Sequence, residues 1–417
     1  MIFNRDKYLN QLISAQHNGM VKVITGIRRC GKSFLIFTLF RNYLLEHGVD
    51  EEHIIEMDFE DYENKKYRNP DVFYQYAKDH IHDQGQYYML LDEVQCMDEF
   101  EDVLNGFLRR SNVELYVTGS NAKFLSKDII TEFRGRGDQI YLYPLSYAEF
   151  MTNYQGSKEE GWVEYLHFGG LPLVVLEPSI EGKTKRLNNL LSETYISDIL
   201  TRNKVKNTTE LEDLFNILAS NIGALTNPQK LSDTFKSVLN ISISSSTIKN
   251  YIDYFCDSFL IEQVNRYDVK GRKYIGTPQK YYFMDLGLRN AKLNFRQPEV
   301  SHLMENAIYN ELRMRGFSVD VGVVIVNTKD EQGKSMRRQL EVDFVCNLGS
   351  KRYYIQAALN LDAPEKQVQE LHSLKNIADS FKKIVIVGDH IISYQNDDGI
   401  TFISIYDFML NEGSLNI

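Results

Sequence analysis

The sequence predicts an α/β fold that begins with a parallel sheet and continues into further helical and mixed domains. Between residues 21 and 145, near-continuous apolar runs alternate with amphipathic stretches, a pattern typical of parallel strands covered by helices on both faces. A glycine-rich turn follows the first apolar run and leads into a helical stretch. After Pro144 this alternation stops. At 417 residues the chain is also too long for one ordinary core, so we expect two to four domains.

The apolar runs of the first part are predicted strands, and Ser33–Leu45 is a predicted helix. The predicted strands are Val21–Thr25, His53–Asp58, Tyr87–Leu91, Leu115–Thr118 and Gln139–Leu142. Runs of this length, rich in β-branched and aromatic residues, are typical of buried strands.

The part that follows Pro144 is predicted to be helical and then mixed. Residues 146–200 have helical character with a break at Gly169–Pro172, where glycine and proline interrupt a helix. Three further helices are predicted at Glu210–Asn221, Asn227–Leu239 and Ser244–Phe259. From about residue 297 the chain is again mixed α/β.

The composition is that of a soluble globular protein, with 43% hydrophobic and 25% charged residues. No apolar run approaches the roughly 18 residues of a membrane span, and the first residues lack the apolar core of a secretory signal. The four cysteines are scattered without a CxxC pair, which predicts neither a disulfide framework nor a zinc site. We therefore expect a protein of the reducing cytoplasm. The net charge of −10 means that any binding to DNA requires a local basic patch.

The glycine-rich turn carries the strongest functional pattern. Gly26–Ser33 matches GxxxxGK[ST] at every fixed position, with a predicted strand before it and a helix after it. Glycines allow successive backbone N–H groups to point at phosphate oxygens, and the helix presents its positive end to the same anion. The residues expected to bind ATP are Gly26, Ile27, Arg28, Arg29, Cys30, Gly31, Lys32, Ser33 and Phe34. Lys32 is expected on the β- and γ-phosphates, and Ser33 on Mg²⁺.

Two carboxylates end a later apolar strand. Tyr87–Leu91 runs directly into Asp92 and Glu93, about sixty residues after the phosphate loop. Asp92 is expected to hold magnesium together with Ser33, and Glu93 to orient and polarise the attacking water. The pair therefore predicts hydrolysis of ATP, in addition to its binding.

Further polar residues follow the next predicted strand. Ser120 and Asn121 are expected at the carboxyl edge of the sheet, where either one senses phosphate or positions the catalytic water, or simply caps a turn. Arg134 and Arg136 are candidate arginine fingers, which neutralise charge in the transition state. The sequence does not rank these two arginines.

These motifs together resemble AAA-type P-loop ATPases of a large bacterial and archaeal family. The residues that carry the resemblance are Gly26–Ser33, Leu90–Glu93, Thr118–Asn121, Arg134–Arg136, Tyr143–Ser146 and Gly169–Pro172. The resemblance covers nearly the whole chain and is specific in the first 175 residues. It implies four domains: an ATPase domain at 1–145, a helical lid at 146–205, a winged helix at 206–290, and a domain similar to PD-(D/E)xK nucleases at 291–417.

The predicted winged helix leaves its role open. Its recognition helix, Ser244–Phe259, carries acidic residues beside Lys249, which is a poor composition for contacting phosphates. The predicted wing consists of two strands, Leu260–Asn265 and Lys280–Met284, around a loop at Arg266–Gln279. Its basic residues are Arg266, Lys270, Arg272, Lys273 and Lys280. The wing either contacts DNA or packs within the protein.

The last domain retains part of a nuclease-like site. A PD-(D/E)xK nuclease places a helix glutamate, a strand aspartate and an ExK motif around magnesium, and the lysine activates water. Glu305 and Asp343 fit the first two positions, whereas Gln356 and Ala358 replace the glutamate and the lysine of the third. We expect this domain to lack the nuclease activity, unless another lysine such as Lys351 or Lys366 reaches the site.

Two main hypotheses of function follow. The first is an enzyme that hydrolyses ATP with magnesium and thereby moves the attached domains. The second is a switch that binds nucleotide with negligible turnover, for example because an arginine of a neighbouring subunit is needed; an ATP-regulated DNA nuclease ranks last. An unidentified protein partner, DNA contact and oligomerisation all remain open.

Overall fold

The apolar runs between residues 21 and 141 form a parallel sheet in a computed structural model of the chain. The structure describes residues 2–120, 135–329, 335–361 and 364–416, with the backbone alone at 193–194, 329, 364–366 and 368–369. The strands are β1 (Val21–Thr25), β2 (Ile54–Asp58), β3 (Tyr87–Asp92), β4 (Val113–Gly119) and β5 (Gly137–Tyr141). All five predicted strands are confirmed, with ends that shift by at most two residues.

The strand order places the carboxyl ends of β3, β4 and β1, and the loops that follow them, side by side. The strands lie in the order β2-β3-β4-β1-β5, and each neighbouring pair is parallel. The carboxyl ends of β3, β4 and β1 are therefore adjacent at one edge of the sheet, where ligands of open α/β sheets bind.

Helices flank this sheet. The predicted helix after β1 is confirmed as a continuous run of Lys32–Phe34, a π-helical stretch Leu35–Phe40, and Arg41–Glu46. Its side chains Leu35, Ile36, Phe40 and Leu44 are buried. The other helices of this part are Asp6–Ser14, Pro70–His80 and Phe100–Phe107, with 3-10 turns at Glu51–His53, Lys65–Arg68 and Val94–Cys96.

The chain divides into two compact units. The first is Met1–Pro144 with Asp257–Phe259, and the second is Leu145–Cys256 with Leu260–Ile417. The first break falls within one residue of the predicted end of the ATPase domain. The finer division into 146–205, 206–290 and 291–417 stays a prediction.

The second unit contains many helices and a mixed sheet. Its helices up to residue 257 are Tyr147–Met151, Lys158–Phe168, Pro172–Val175, Ile180–Asn189, Leu190–Ile196 (π), Ser197–Asn203, Thr208–Ser220, Pro228–Thr234, Phe235–Leu239 (π) and Ser245–Asp257. Those that follow are Leu286–Lys292, Val300–Met314, Pro364–Lys375, Ile405–Leu410 and a 3-10 turn Glu412–Asn416. Among the described residues, we find no helix with both the length and the apolar character to cross a membrane.

The second sheet includes the strands of the predicted wing. Its strands are β6 (Ile261–Asp268), β7 (Lys273–Phe283), β8 (Ser318–Lys329), β9 (Ser335–Leu348), β10 (Lys351–Ala358), β11 (Lys382–Val387), β12 (Tyr394–Gln395) and β13 (Ile400–Ser404). Their order is β12-β13-β11-β10-β9-β8-β6-β7. Because β6 pairs with β8 at Arg266–Asp268, the wing hairpin is the edge of this sheet.

The predicted length of the loop Arg266–Gln279 is wrong, because the observed turn is shorter. Strand pairing of β6 with β7 continues to Asp268 opposite Lys273, which leaves only residues 269–272 as the turn. The exposed part of β7 is polar because it lies at a sheet edge, and a polar edge strand resembles a loop in the sequence.

Candidate functional site

The phosphate loop needs glycine for steric reasons at its first position. Gly26 follows β1 with a φ of +147°, and a Cβ atom there would lie 2.1 Å from the carbonyl oxygen of Leu142. Gly31, with a φ of +103°, and Arg29, with a φ of +63°, also adopt conformations with positive φ. Such a backbone turns sharply enough for the helix to begin at Lys32. The loop therefore has the curled form that a phosphate cradle requires.

The apolar side chains of the loop anchor it. Ile27 and Cys30 are buried, whereas Phe34 is exposed on the first helical turn. Burial raises the pKa of the Cys30 thiol. Cys30 is therefore a neutral packing residue at physiological pH.

Lys32 lies across the loop. The lysine is 5% exposed, and its ammonium group donates hydrogen bonds to the carbonyl oxygens of Gly26 at 3.2 Å and Ile27 at 3.4 Å. The same nitrogen lies 3.9 Å from Oε1 of Glu93. The predicted phosphate-binding lysine and the predicted catalytic carboxylate thus meet at one place.

Ser33 and Asp92 form the predicted magnesium pair. The Ser33 hydroxyl donates to Oδ2 of Asp92 at 2.6 Å, and the Thr118 hydroxyl donates to Oδ1 of the same carboxylate. Burial raises the pKa of Asp92 to about 6, while these hydroxyls oppose the shift. Serine hydroxyl and carboxylate oxygens are the ligands by which P-loop enzymes hold magnesium. The residues present therefore fit the ion.

Glu93 is held by side chains from two directions. It has a φ of +49° and is 8% exposed. Its Oε2 accepts hydrogen bonds from the Ser120 hydroxyl at 3.0 Å and from the amide of Gln95, and its backbone N–H donates to Thr118 at 3.0 Å. Arg28 in turn donates to the Ser120 hydroxyl at 3.3 Å. A connected network thus joins the phosphate loop to the ends of β3 and β4.

Comparisons with known proteins identify relatives of this chain. An uncharacterized protein of Haemophilus influenzae is 32% identical over 417 residues, covering 98% of this chain and 99% of that protein. Residues 18–151 match the family described as an AAA domain, and residues 159–299 match a domain of unknown function, DUF8612. The chain belongs to this family of AAA-domain proteins. A Methanocaldococcus jannaschii protein is 29% identical over 402 residues, covering 93% of this chain and 85% of that protein.

A solved structure supports the fold of the AAA-domain protein. The Walker-type ATPase of Pyrococcus abyssi aligns with a TM-score of 0.50 at 14% identity, over 70% of this chain and 96% of that one. At this identity the likeness concerns the fold alone. With the family match at residues 18–151, it shows that this part of the chain is an AAA domain with the P-loop fold.

Of the two candidate arginines of the AAA domain, Arg136 belongs to the part of the chain that the structure describes. Asn121 and Arg134 lie outside the described residues. Arg136 immediately precedes β5, and its carbonyl oxygen accepts the N–H of Val21 at the start of β1. The phosphate loop follows the other end of β1, so Arg136 lies at the opposite edge of the sheet.

The nuclease-like residues surround Lys280, a lysine of the predicted wing. Lys280 of β7 forms ion pairs with Glu305 on the helix Val300–Met314 and with Glu341 of β9. Asp343 lies close enough to influence the pKa of Lys280. The amide oxygen of Gln356 accepts the backbone N–H of Asp343 at 3.3 Å. The structure thus brings Glu305, Asp343 and Gln356 together.

Lys351, which is one of the two lysines expected to reach that site, contacts another part of the chain. Lys351 is exposed at the start of β10, and its ammonium group lies 3.5 Å from Oδ1 of Asn416. The side chain of Lys366 lies outside the described part. Lys280 directly precedes the apolar residues Tyr281–Phe283. This position at the start of an apolar run is the sequence pattern that indicates a buried lysine.

DNA contact by the predicted wing has less support in the structure, because some of the basic residues of the wing are buried. Lys280 and Arg266 are buried, and Arg266 donates to the Gln339 amide oxygen at 2.9 Å. Lys270 donates to the carbonyl oxygen of Ile325 at 3.1 Å. Lys270, Arg272 and Lys273 are exposed. Of the five basic residues of the predicted wing, two are therefore buried in the second unit.

Proposed function

We propose that the AAA domain binds ATP with magnesium and hydrolyses it to ADP and phosphate. The observation that carries the proposal is that Lys32, Ser33, Asp92 and Glu93 meet at the carboxyl ends of neighbouring strands. Lys32 would bind the β- and γ-phosphates, and Ser33 with Asp92 would hold the ion. Magnesium, when bound, would offset the negative charge of the phosphate oxygens.

Glu93 would act on the attacking water. A general base has to come within hydrogen-bond reach of the proton that it accepts, and Glu93 lies near Lys32 at the same edge of the sheet. Its carboxylate is engaged by Ser120 and Gln95. Both hydrogen bonds go to Oε2, so Oε1, which lies 3.9 Å from the Lys32 nitrogen, would accept the proton of the water.

Phosphate release by the purified protein tests this proposal. We expect magnesium-dependent turnover that falls about 100-fold or more in Glu93→Gln, because loss of a general base costs on that order. Lys32→Ala should lose nucleotide binding, whereas Glu93→Gln should keep it. Glu63→Gln is the matched control, since Glu63 is an exposed glutamate of the same unit. Turnover of wild type no faster than that of Lys32→Ala would refute hydrolysis, and turnover of Glu93→Gln equal to that of wild type would exclude Glu93 as the base.

The alternative is a nucleotide-gated switch with negligible turnover. The position of Arg136 favours this alternative, because an arginine at the opposite edge of the sheet does not complete the site of its own chain. Tight ATP binding without turnover in the wild type, lost in Lys32→Ala, would identify the switch.

The proposed output of the ATP cycle is a conformational change of residues 145–417. We propose that 146–205 form a lid, 206–290 a winged helix and 291–417 a nuclease-like domain. The succession of the helix Val300–Met314, the strands β8, β9 and β10, and the helix Pro364–Lys375 supports the last assignment. Glu93→Gln should hold ATP uncleaved, so partners that co-purify with it but not with Lys32→Ala would be those that the ATP-bound form binds.

A further inference from the structure

Lys280 is a buried lysine whose ammonium group lies among carboxylates. Its side chain is 4% exposed, and its nitrogen lies 2.8 Å from Oε1 of Glu305 and 2.7 Å from Oε1 of Glu341. Tyr282, which lies on the same face of β7 two residues later, donates its hydroxyl to Oε1 of Glu305 at 2.5 Å. A helix and two strands thus direct polar groups into one small volume.

A third carboxylate completes the cluster. Asp343 lies two residues after Glu341 on β9, and therefore on the same face of that strand. It is 7% exposed, and its Oδ2 accepts the backbone N–H of Ala357 at 2.8 Å. Glu305, Glu341 and Asp343 together we call the carboxylate cluster.

The charge of Lys280 is maintained by this cluster. Its ammonium nitrogen forms ion pairs with Glu305 at 2.8 Å and with Glu341 at 2.7 Å. Carboxylates at these distances favour the charged form of a lysine and offset the cost of burying it.

The oxygens of the carboxylate cluster bind an ammonium group rather than a metal ion. A lysine ammonium has three donors at one point, which suit carboxylates at about 2.8 Å. Throughout the described residues, no group of three or more His, Cys, Asp or Glu side chains is arranged to hold a metal ion. Gln356 is likewise engaged, because its amide nitrogen donates to Oε2 of Glu370 at 3.1 Å.

We propose that the ammonium group of Lys280 is the resident cation of the carboxylate cluster and replaces the divalent metal that a nuclease of this form would hold. The lysine comes from β7, whereas the position of the nuclease lysine on β10 holds Ala358. The second unit then binds no divalent metal at this cluster and does not cleave phosphodiesters there. This inference is independent of ATP hydrolysis by the first unit.

Removal of the lysine should convert the cluster into a metal site. Mn²⁺ binding is measured by electron paramagnetic resonance on the full chain without nucleotide, with Asp92→Asn in every protein so that the AAA domain contributes no carboxylate at its predicted magnesium position. Lys280→Ala should bind Mn²⁺ about tenfold or more tightly than its parent. Without the ammonium group, the charged carboxylate oxygens are available as ligands, and affinity rises with the number of such ligands. The gain should disappear when Asp343→Asn is added.

Lys292→Ala is the matched control for the loss of a lysine. Lys292 also lies near a carboxylate, with its nitrogen 3.6 Å from Oε2 of Glu212, but its partner is not part of the carboxylate cluster. This variant should gain no Mn²⁺ affinity. An equal gain in Lys292→Ala and Lys280→Ala would overturn the proposal, because it would show a general effect of charge.

Thermal melting gives a second readout. Lys280→Ala should melt at a lower temperature than its parent, because three carboxylates lose their counter-ion, and Mn²⁺ should restore part of the loss. Mn²⁺ should leave the parent unchanged. If Lys280→Ala does not fold even with Mn²⁺, the milder variant Lys280→Ala/Glu341→Gln decides: Mn²⁺ affinity above that of Lys292→Ala supports the proposal, and none overturns it.

The wild-type chain provides the opposite test. Mn²⁺ binding that Asp343→Asn abolishes would show that the metal enters beside Lys280 and would overturn the proposal. The same holds for cleavage of DNA with Mg²⁺ or Mn²⁺ that Asp343→Asn abolishes. A folded Lys280→Ala with no gain in affinity would likewise overturn it.

Discussion

At the scale of single residues, Gly26 shows most directly how the phosphate loop depends on close packing. Its φ of +147° is accessible to glycine, and a Cβ atom would lie 2.1 Å from the carbonyl oxygen of Leu142. Gly19 also has a positive φ, of +71°, but a Cβ atom there meets nothing within 4 Å. A side chain at either glycine has the free-energy cost of a positive φ, but only a side chain at Gly26 adds a steric clash. Comparing the two positions therefore distinguishes these costs.

We expect Gly26→Ala to destabilise the protein more than Gly19→Ala. The conformational cost of a side chain at positive φ is about 1–2 kcal/mol, and overpacking adds about 1–3 kcal/mol at Gly26. Urea denaturation of both variants measures the difference, and nucleotide binding should fall only in Gly26→Ala. Equal losses of stability would show that the chain next to Leu142 moves aside without cost.

The residues of the site differ in how far the sequence predicts them. Gly26–Ser33 and Asp92-Glu93 are predictable because each motif is contiguous and ends an apolar strand. The contact of Thr118 with Asp92 depends on the pairing of β3 with β4, which the sequence does not specify. Lys280 is misread as an exposed wing residue because its partners Glu305 and Glu341 are 25 and 61 positions away in the chain.

At the scale of elements, one aspartate joins the Gly169–Pro172 bend to the helix Leu286–Lys292. Asp285 caps that helix by accepting the N–H of Leu288 at 3.0 Å, and it accepts the N–H of Gly170 at 2.8 Å. A Cβ atom on Gly169 would lie 2.4 Å from Oδ1 of Asp285. The break in helical character that the sequence predicts at the bend thus has a partner more than a hundred residues later.

We expect Asp285→Asn to destabilise the protein in a pH-dependent way. An asparagine has one acceptor oxygen, so it loses one of these two hydrogen bonds. Burial raises the pKa of Asp285 to about 6, and the backbone N–H groups oppose the shift. Because an unfolded aspartate has a pKa of about 4, the carboxyl group contributes its full stability below pH 4, and this contribution is lost as the pH rises through 6.

The difference in unfolding free energy between wild type and Asp285→Asn should therefore shrink by about 3 kcal/mol from pH 4 to pH 7.5. Urea denaturation at both pH values measures it. Asp407→Asn, at an exposed aspartate of the same unit, should lose little stability. A difference that grows with pH would contradict a pKa raised by burial.

At the scale of the whole molecule, the position of Arg136 determines how it could serve catalysis. β1 separates Arg136 from the phosphate loop, and five residues of strand span about 16 Å at about 3.3 Å per residue. An arginine at the start of β5 does not reach phosphates held at the other end of β1 in the same chain. If Arg136 is an arginine finger, it must act on the ATP of a second copy of the protein.

We therefore expect complementation between two inactive variants. Arg136→Ala keeps its phosphate loop but lacks the finger, and Lys32→Ala keeps the finger but lacks ATP binding. An arginine finger contributes about 10³-fold or more to turnover, so each variant alone should be nearly inactive, and mixing them should restore phosphate release. Specific activity of the wild type should also rise with protein concentration. Undiminished turnover in Arg136→Ala would exclude this arginine, and an impaired Arg136→Ala that Lys32→Ala does not rescue would leave Arg136 a role only within its own chain.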